Sequence, residues 1–140
     1  MALIVIGASH RTAPVEVREK FVFGPSDVPT SLAHLRSVAG VRESVLLSTC
    51  NRTELYMVEG EEDSLPAVTA MLRSRLGSDP TGHLYVRRDR EAAAHLFRVA
   101  AGIDSMILGE AQIQGQVRDA WELSRSESGA MLNHLFQTAL

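Results

Sequence analysis

Val45-Leu46-Leu47-Ser48-Thr49-Cys50-Asn51-Arg52-Thr53-Glu54-Leu55-Tyr56-Met57-Val58 decides how this chain is read, because it joins two apolar, strand-prone runs through a short polar connection. Asn51 tolerates the left-handed backbone that a tight connection often needs, so the simplest reading is a hairpin with Cys50 and Arg52 near its apex. The thiol then sits at a sheet edge. The nucleophilic form of cysteine is the thiolate, which a nearby cation or helix N-terminus favours, and Arg52 is such a cation. Its planar fork also fits a carboxylate at two points, and the sequence leaves both roles open. Taken alone, a single cysteine near a strand end is more often inert packing than a nucleophile.

Outward from the hairpin, Leu3-Ile4-Val5-Ile6 predicts a strand stopped by Gly7. The G-x-G-x-x-G spacing is absent, so Gly7-Ala8-Ser9 gives no phosphate cradle. His10 and Arg11 lie just past the strand end, either in a solvated loop or in a pocket wall. Pro14 opens a short helix through Phe21. Ser26 or Asp27 caps a second helix, with Val28, Leu32, Leu35 and Val38 on its inward stripe, His34 outside it and Gly40 just beyond the end. Residues 43–47 and 54–58 are the two strands of the hairpin. Glu59, Glu61, Glu62 and Asp63 predict a solvated loop. Ser64 then caps a helix whose inward positions are Leu65, Val68, Leu72 and Leu76, closed by Gly77.

Leu84-Tyr85-Val86 reads as a last strand, flanked by Arg87, Arg88 and Arg90. Such a run is usually a solvated face, and no aromatic platform suggests stacked bases beside it. Asp89 starts a helix with Ala92, Leu96 and Val99 inward, ending at Gly102. A further helix turns Ile113, Val117, Ala120 and Trp121 inward, and Leu132, Leu135, Phe136 and Ala139 repeat at helical spacing up to Leu140. A hairpin with short strands, rather than repeated βαβ units, predicts an α+β fold: an antiparallel sheet of about four strands covered by helices.

At 140 residues the chain is one domain's worth. Its net charge of -3 argues against a general grip on nucleic acid, so any such contact has to be local. One cysteine excludes an internal disulfide and suits a reducing cytoplasm, and with five scattered histidines it offers no metal-ligand spacing. No run approaches the roughly 20 apolar residues of a membrane span.

Three blocks of the sequence resemble one family. Ser48-Thr49-Cys50-Asn51-Arg52-Thr53-Glu54 resembles the signature of the glutamyl-tRNA reductases, which open the C5 route to tetrapyrroles. The stretch Gly7-Ala8-Ser9-His10-Arg11-Thr12-Ala13-Pro14-Val15-Glu16-Val17-Arg18-Glu19-Lys20 resembles the family's N-terminal segment. His95 to Val117, which includes Gly102-Ile103-Asp104-Ser105-Met106-Ile107-Leu108-Gly109-Glu110-Ala111-Gln112, resembles its second substrate-site block.

The resemblance implies a Cys50 nucleophile that takes the glutamyl group from glutamyl-tRNA as a thioester, which NADPH then reduces to glutamate-1-semialdehyde in porphyrin biosynthesis. It implies that His95 assists the chemistry, since a histidine can hold or shuttle a proton beside a thiol. It also implies that Thr49, Asn51, Arg52, Ser105, Glu110, Ala111, Gln112 and Gln116 contact the glutamyl group, with Arg52 on its side-chain carboxylate. Ala111 stands where many members carry proline, so contact there is expected through backbone. Residues 1–125 correspond to the catalytic, glutamyl-recognition domain and 126–140 to the start of a long connecting helix. By the same resemblance the NADPH-binding and dimerisation domains lie outside this chain. A cytoplasmic homodimer is implied for the full-length protein, with no membrane association and glutamate-1-semialdehyde aminomutase as a further partner. On this reading the chain forms the thioester and does not reduce it. Two other classes stay open: a thiol acyltransferase or hydrolase acting on small glutamyl esters, and a non-catalytic RNA-binding module indifferent to Cys50.

Overall fold

The computed structural model describes residues 2–105 and 112–140. In chain order the elements are β1 (Leu3–Ser9), α1 (Val15–Lys20), α2 (Asp27–Ala39), β2 (Glu43–Ser48), β3 (Arg52–Val58), α3 (Leu65–Leu76), β4 (Tyr85–Arg88), α4 (Asp89–Ala100), α5 (Gln112–Leu123) and α6 (Ala130–Ala139). The four strands form one sheet in the order β2-β3-β1-β4, and every neighbouring pair is antiparallel. This is the α+β arrangement that the hairpin and the short strands predict.

Because side chains alternate along a strand, β1 sends Ile4, Ile6 and Ala8 to one face and Leu3 and Val5 to the other. Both faces are covered. On the first, Leu46, Leu55 and Met57 join the β1 residues against Val28, Leu32 and Leu35 of α2 and Val68 and Leu72 of α3. On the second, Val45, Tyr56 and Val58 pack against Leu96 and Val99 of α4, Ile113 and Val117 of α5, and Leu132 and Phe136 of α6. The segment expected to begin a connecting helix is therefore α6, with two fully buried side chains in the second core.

Several local expectations change once distant residues are placed. Val38 is half exposed and Ala39 completes the inward stripe of α2, because the last turn of the helix rotates the stripe by one position. Glu59 is buried rather than solvated: it accepts from the Ser64 backbone N–H (2.8 Å) and hydroxyl (2.7 Å) and pairs with Arg88 (3.2 Å). Ser64 therefore spends its hydroxyl on Glu59 instead of capping α3, and the Asp63 carboxylate takes the Leu65 N–H at 3.0 Å. The start of α6 is served from across the sheet, where Glu43 of β2 accepts from the Leu132 N–H at 2.8 Å. Asp89 enters α4 with a left-handed φ of 51°, and its carboxylate accepts the Leu3 N–H at 3.2 Å.

Candidate active site

The turn between β2 and β3 is pinned from several sides. The Thr49 hydroxyl accepts from the Asn51 N–H (3.1 Å) and the Arg52 N–H (3.2 Å), and the Thr49 N–H donates to the Arg52 carbonyl at 2.8 Å. From the end of β1, the His10 N–H donates to the Asn51 carbonyl at 3.0 Å. The Ser48 hydroxyl accepts from the Phe23 N–H (2.9 Å), and the Thr53 hydroxyl donates to the Phe21 carbonyl (3.0 Å). Held this way, the apex presents Cys50 with its side chain exposed.

Immediately after the apex, β3 directs Arg52, Glu54 and Tyr56 to the face covered by α4, α5 and α6. Glu54 is fully buried in a sheet that is otherwise apolar at that depth. Its partners on the neighbouring strands are Leu47 of β2 and Gly7 of β1, and Gly7 in turn faces Tyr85 of β4. A Cβ on residue 7 would stand 2.8 Å from the Glu54 Cγ and 2.6 Å from the Thr53 carbonyl oxygen. Gly7 thus leaves a slot through which the Glu54 side chain crosses β1. At its far end Glu54 Oε2 meets the Tyr85 hydroxyl, His95 Nε2 on α4 and Arg52 Nη1 (3.2 Å), while Oε1 accepts from the Tyr56 hydroxyl at 2.7 Å.

Charge follows from this geometry. Burial by itself raises the Glu54 carboxyl, but the His95 hydrogen bond, the His95 and Arg52 charges and the Tyr85 hydroxyl outweigh it and hold the group at about 2. Burial and the Glu54 charge push the Tyr56 and Tyr85 phenols well up, so both remain hydrogen-bond donors. Burial works against the Arg52 cation, yet Glu54 first, then Tyr85 and Asp104, keep it charged. Burial, with Arg52 and Arg11 close by, lowers His10 below the ordinary histidine value.

Arg52 is held a second time, by Asp104. Its Nη1 lies 3.2 Å from Asp104 Oδ2, and its Nη2 donates to the Asp104 carbonyl. Asp104 Oδ1 meets Arg11 Nε at 3.0 Å. The guanidinium expected to take a substrate carboxylate therefore already carries two carboxylates of the chain itself.

Three of the expected site residues line two small cavities, and Cys50, Asn51, Arg52, Ser105 and Gln112 line neither. His95 lies on the wall of one of about 190 Å³, together with Arg11, Tyr85, Arg98 and Asp104. Thr49 and Gln116 line another of about 190 Å³ at the β2 edge, with Phe23, Ser48 and Asp119. Arg52 and His95 thus meet through Glu54, whereas Gln116 shares a cavity with Thr49 and not with His95. Ser105 is half-buried next to Asp104, and Gln112 is exposed at the start of α5. Glu110 and Ala111 lie outside the described residues. A larger groove of about 800 Å³ between α2 and α3 contains none of the expected residues. Among the described residues no group of three His, Cys, Asp or Glu side chains is placed to hold a metal. Among them also, no helix is long and apolar enough to cross a membrane.

The sequence alone assigns no site role to Glu54, Tyr56, Tyr85 or Asp104, and Gly7, expected to stop the first strand, instead sits inside β1, which runs on to Ser9. A charged residue in phase with Tyr56 on a buried strand was the available signal for Glu54; its partners lie too far along the chain to be read locally.

The family model for the N-terminal domain of glutamyl-tRNA(Glu) reductase matches residues 6–140. The chain belongs to this family. Members of it at similar identity include the glutamyl-tRNA reductases of Stenotrophomonas maltophilia strain K279a (50% identical, 98% of this chain, 32% of the relative) and Rubrobacter xylanophilus (49% identical, 100% of this chain, 34% of the relative). The glutamyl-tRNA reductase structure from Methanopyrus kandleri superposes with a TM-score of 0.78 at 31% identity, covering 98% of this chain and 32% of that one. The chain spans about a third of the length of these relatives. Gly7, Cys50, Glu54, Tyr85, His95 and Asp104 all fall within the segment that the family model matches.

Proposed function

We propose that this chain is the acyl-accepting part of a glutamyl-tRNA reductase. The Cys50 sulfur bonds to the carbonyl carbon of the ester between glutamate and the terminal ribose of tRNA. The ester C–O bond breaks, the ribose oxygen takes a proton, and the glutamyl group stays on sulfur as a thioester. The observation that carries this reading is the exposed thiol on a pinned apex, two residues before a buried arginine that is coupled to a histidine through Glu54.

His95 is the group assigned to proton handling. Glu54 occupies its Nε2, which fixes the ring and leaves Nδ1 as the nitrogen free to exchange a proton. Thr49, Asn51, Arg52, Ser105, Glu110, Ala111, Gln112 and Gln116 are assigned to the glutamyl group, with Arg52 on its side-chain carboxylate in place of Asp104. The described residues form no dinucleotide cradle, since the strands are all antiparallel and no glycine-rich strand-to-helix turn is present. Because the chain spans about a third of its relatives' length, hydride reduction by NADPH and dimerisation are assigned to other parts of a full-length cytoplasmic enzyme. Its aldehyde product is reactive, which favours direct transfer to an aminomutase.

Intact-protein mass spectrometry after mixing with glutamyl-tRNA tests the reading. One glutamyl adduct is expected, absent from Cys50→Ser and released by hydroxylamine. An unmodified protein in a mixture whose tRNA is still charged refutes it.

A further inference from the structure

Three arginines from separate elements converge on the cavity beside His95: Arg11 from the loop after β1, Arg87 from β4 and Arg98 from α4. Arg11 is paired with Asp104, while among the described residues neither Arg87 nor Arg98 has a carboxylate partner. Glu54 and Arg52, directly behind the wall, cancel each other. Three arginines against one aspartate leave two positive charges on this cavity, in a chain whose net charge is -3.

Arg87, Arg88 and Arg90 are all exposed, as the run predicts, but they meet different surroundings. Arg88 pairs with Glu59 (3.2 Å), while Arg87 lies at the rim of the cavity, its Nη1 donating to the Val86 carbonyl at 3.0 Å and its guanidinium 5.6 Å from the centre of the Tyr85 ring. A small, positively charged cavity lined by planar guanidinium groups suits a phosphate, which such groups grip at two points. The cavity is also joined to the thiol hairpin, because Asp104 bridges Arg11 to Arg52.

We propose that this cavity seats the phosphodiester next to the acylated ribose of the tRNA. This rests on the function proposed above: in an aminoacyl-tRNA the nearest phosphate stands one ribose away from the ester. Phosphate contacts fix position without reading sequence, so the cavity sets where the ester lies relative to Cys50. It supplies the local nucleic-acid contact that an acidic chain needs.

The test compares Arg87→Gln/Arg98→Gln with wild type, using Arg90→Gln as a control that removes a neighbouring charge outside the cavity. With glutamyl-tRNA, the double variant is expected to raise the apparent KM for thioester formation about tenfold and to flatten its logarithmic salt dependence by roughly 0.7, the value for one lost single-strand phosphate contact. Arg90→Gln is expected to change neither. An effect no larger than that of Arg90→Gln overturns the proposal. So does an equal loss with a glutamyl ester that carries no nucleotide, since the arginines would then hold the glutamyl group itself. Fluorescence anisotropy of an uncharged acceptor-stem RNA ending in CCA reads the cavity without the chemistry. Weaker binding by the double variant supports the phosphate site even if no thioester forms at Cys50, and unchanged binding refutes it.

Discussion

The two faces of the sheet are built from alternate residues of the same strands, yet they differ in kind. The face under α1, α2 and α3 gathers Ile4, Ile6, Leu46, Leu55 and Met57 in one apolar cluster, with the hydroxyls of Ser44, Ser48 and Thr53 toward its ends. The opposite face is apolar around Val45, Tyr56 and Val58, but at the hairpin end it buries Arg52, Glu54 and His95. Burying charge is costly unless every group is paired, and a well-packed apolar cluster of the same volume is often at least as stable. Stability alone therefore does not account for the polar end. Its place beside the exposed Cys50 is what the proposed function draws on.

Variants on adjacent residues of β3 should separate the two faces. Glu54→Gln removes the anion from a buried network and is expected to cost about 3 kcal/mol or more, read as a lower urea midpoint. Leu55→Ala, one residue away on the apolar face, is expected to cost about 2–5 kcal/mol by leaving a cavity. Similar losses of stability with opposite consequences for the site would sharpen the contrast.

Gly7→Ala should be milder, at about 1–3 kcal/mol, because the methyl group must displace Glu54 and strand backbone. Its clearest signature lies in the ¹⁵N shifts of the His95 ring. In wild type at alkaline pH, Nε2 is expected to carry the proton; loss of that single tautomer in Gly7→Ala would show that the slot positions Glu54. An unaltered ring spectrum would separate Gly7 from the site.

The pH dependence has a defined sign. The Glu54 carboxyl is lower in the folded protein (about 2) than its ordinary 4.5, so its contribution is complete above 4.5 and is lost as pH falls toward 2. The stability gap between wild type and Glu54→Gln should accordingly hold steady above 4.5 and narrow by on the order of 3 kcal/mol below it. A gap independent of pH would mean that Glu54 is not held as an anion. Asp104→Asn is expected to cost less than Glu54→Gln, about 1–2 kcal/mol, because the buried Arg52 keeps Glu54 as its carboxylate partner and the pair with the largely exposed Arg11 contributes little.

The sequence made the hairpin and its apex legible because a polar break between two strand-prone runs is a local signal. The inward stripes of α3 to α6 were legible for the same reason. The polar cluster was not: Glu54 finds Tyr85 and His95 at separations of 31 and 41 residues, and Asp104 reaches back 52 residues to Arg52. Those encounters require the β2-β3-β1-β4 order and a glycine in the middle strand. Glu59 and Ser64 show the same limit on a smaller scale, since local composition predicts solvent and a cap where the fold supplies Arg88 and a buried carboxylate.

Rapid-quench transfer of a labelled glutamyl group from tRNA to Cys50, compared in Glu54→Gln and Leu55→Ala under conditions where both are folded, tests the division of the two faces most directly. Leu55→Ala should transfer at the wild-type rate per folded molecule, and Glu54→Gln should be slower by about 100-fold or more, the scale set by losing a positioned acid–base group. Equal rates in the two variants, or the larger loss in Leu55→Ala, would contradict the assignment of the polar face to catalysis.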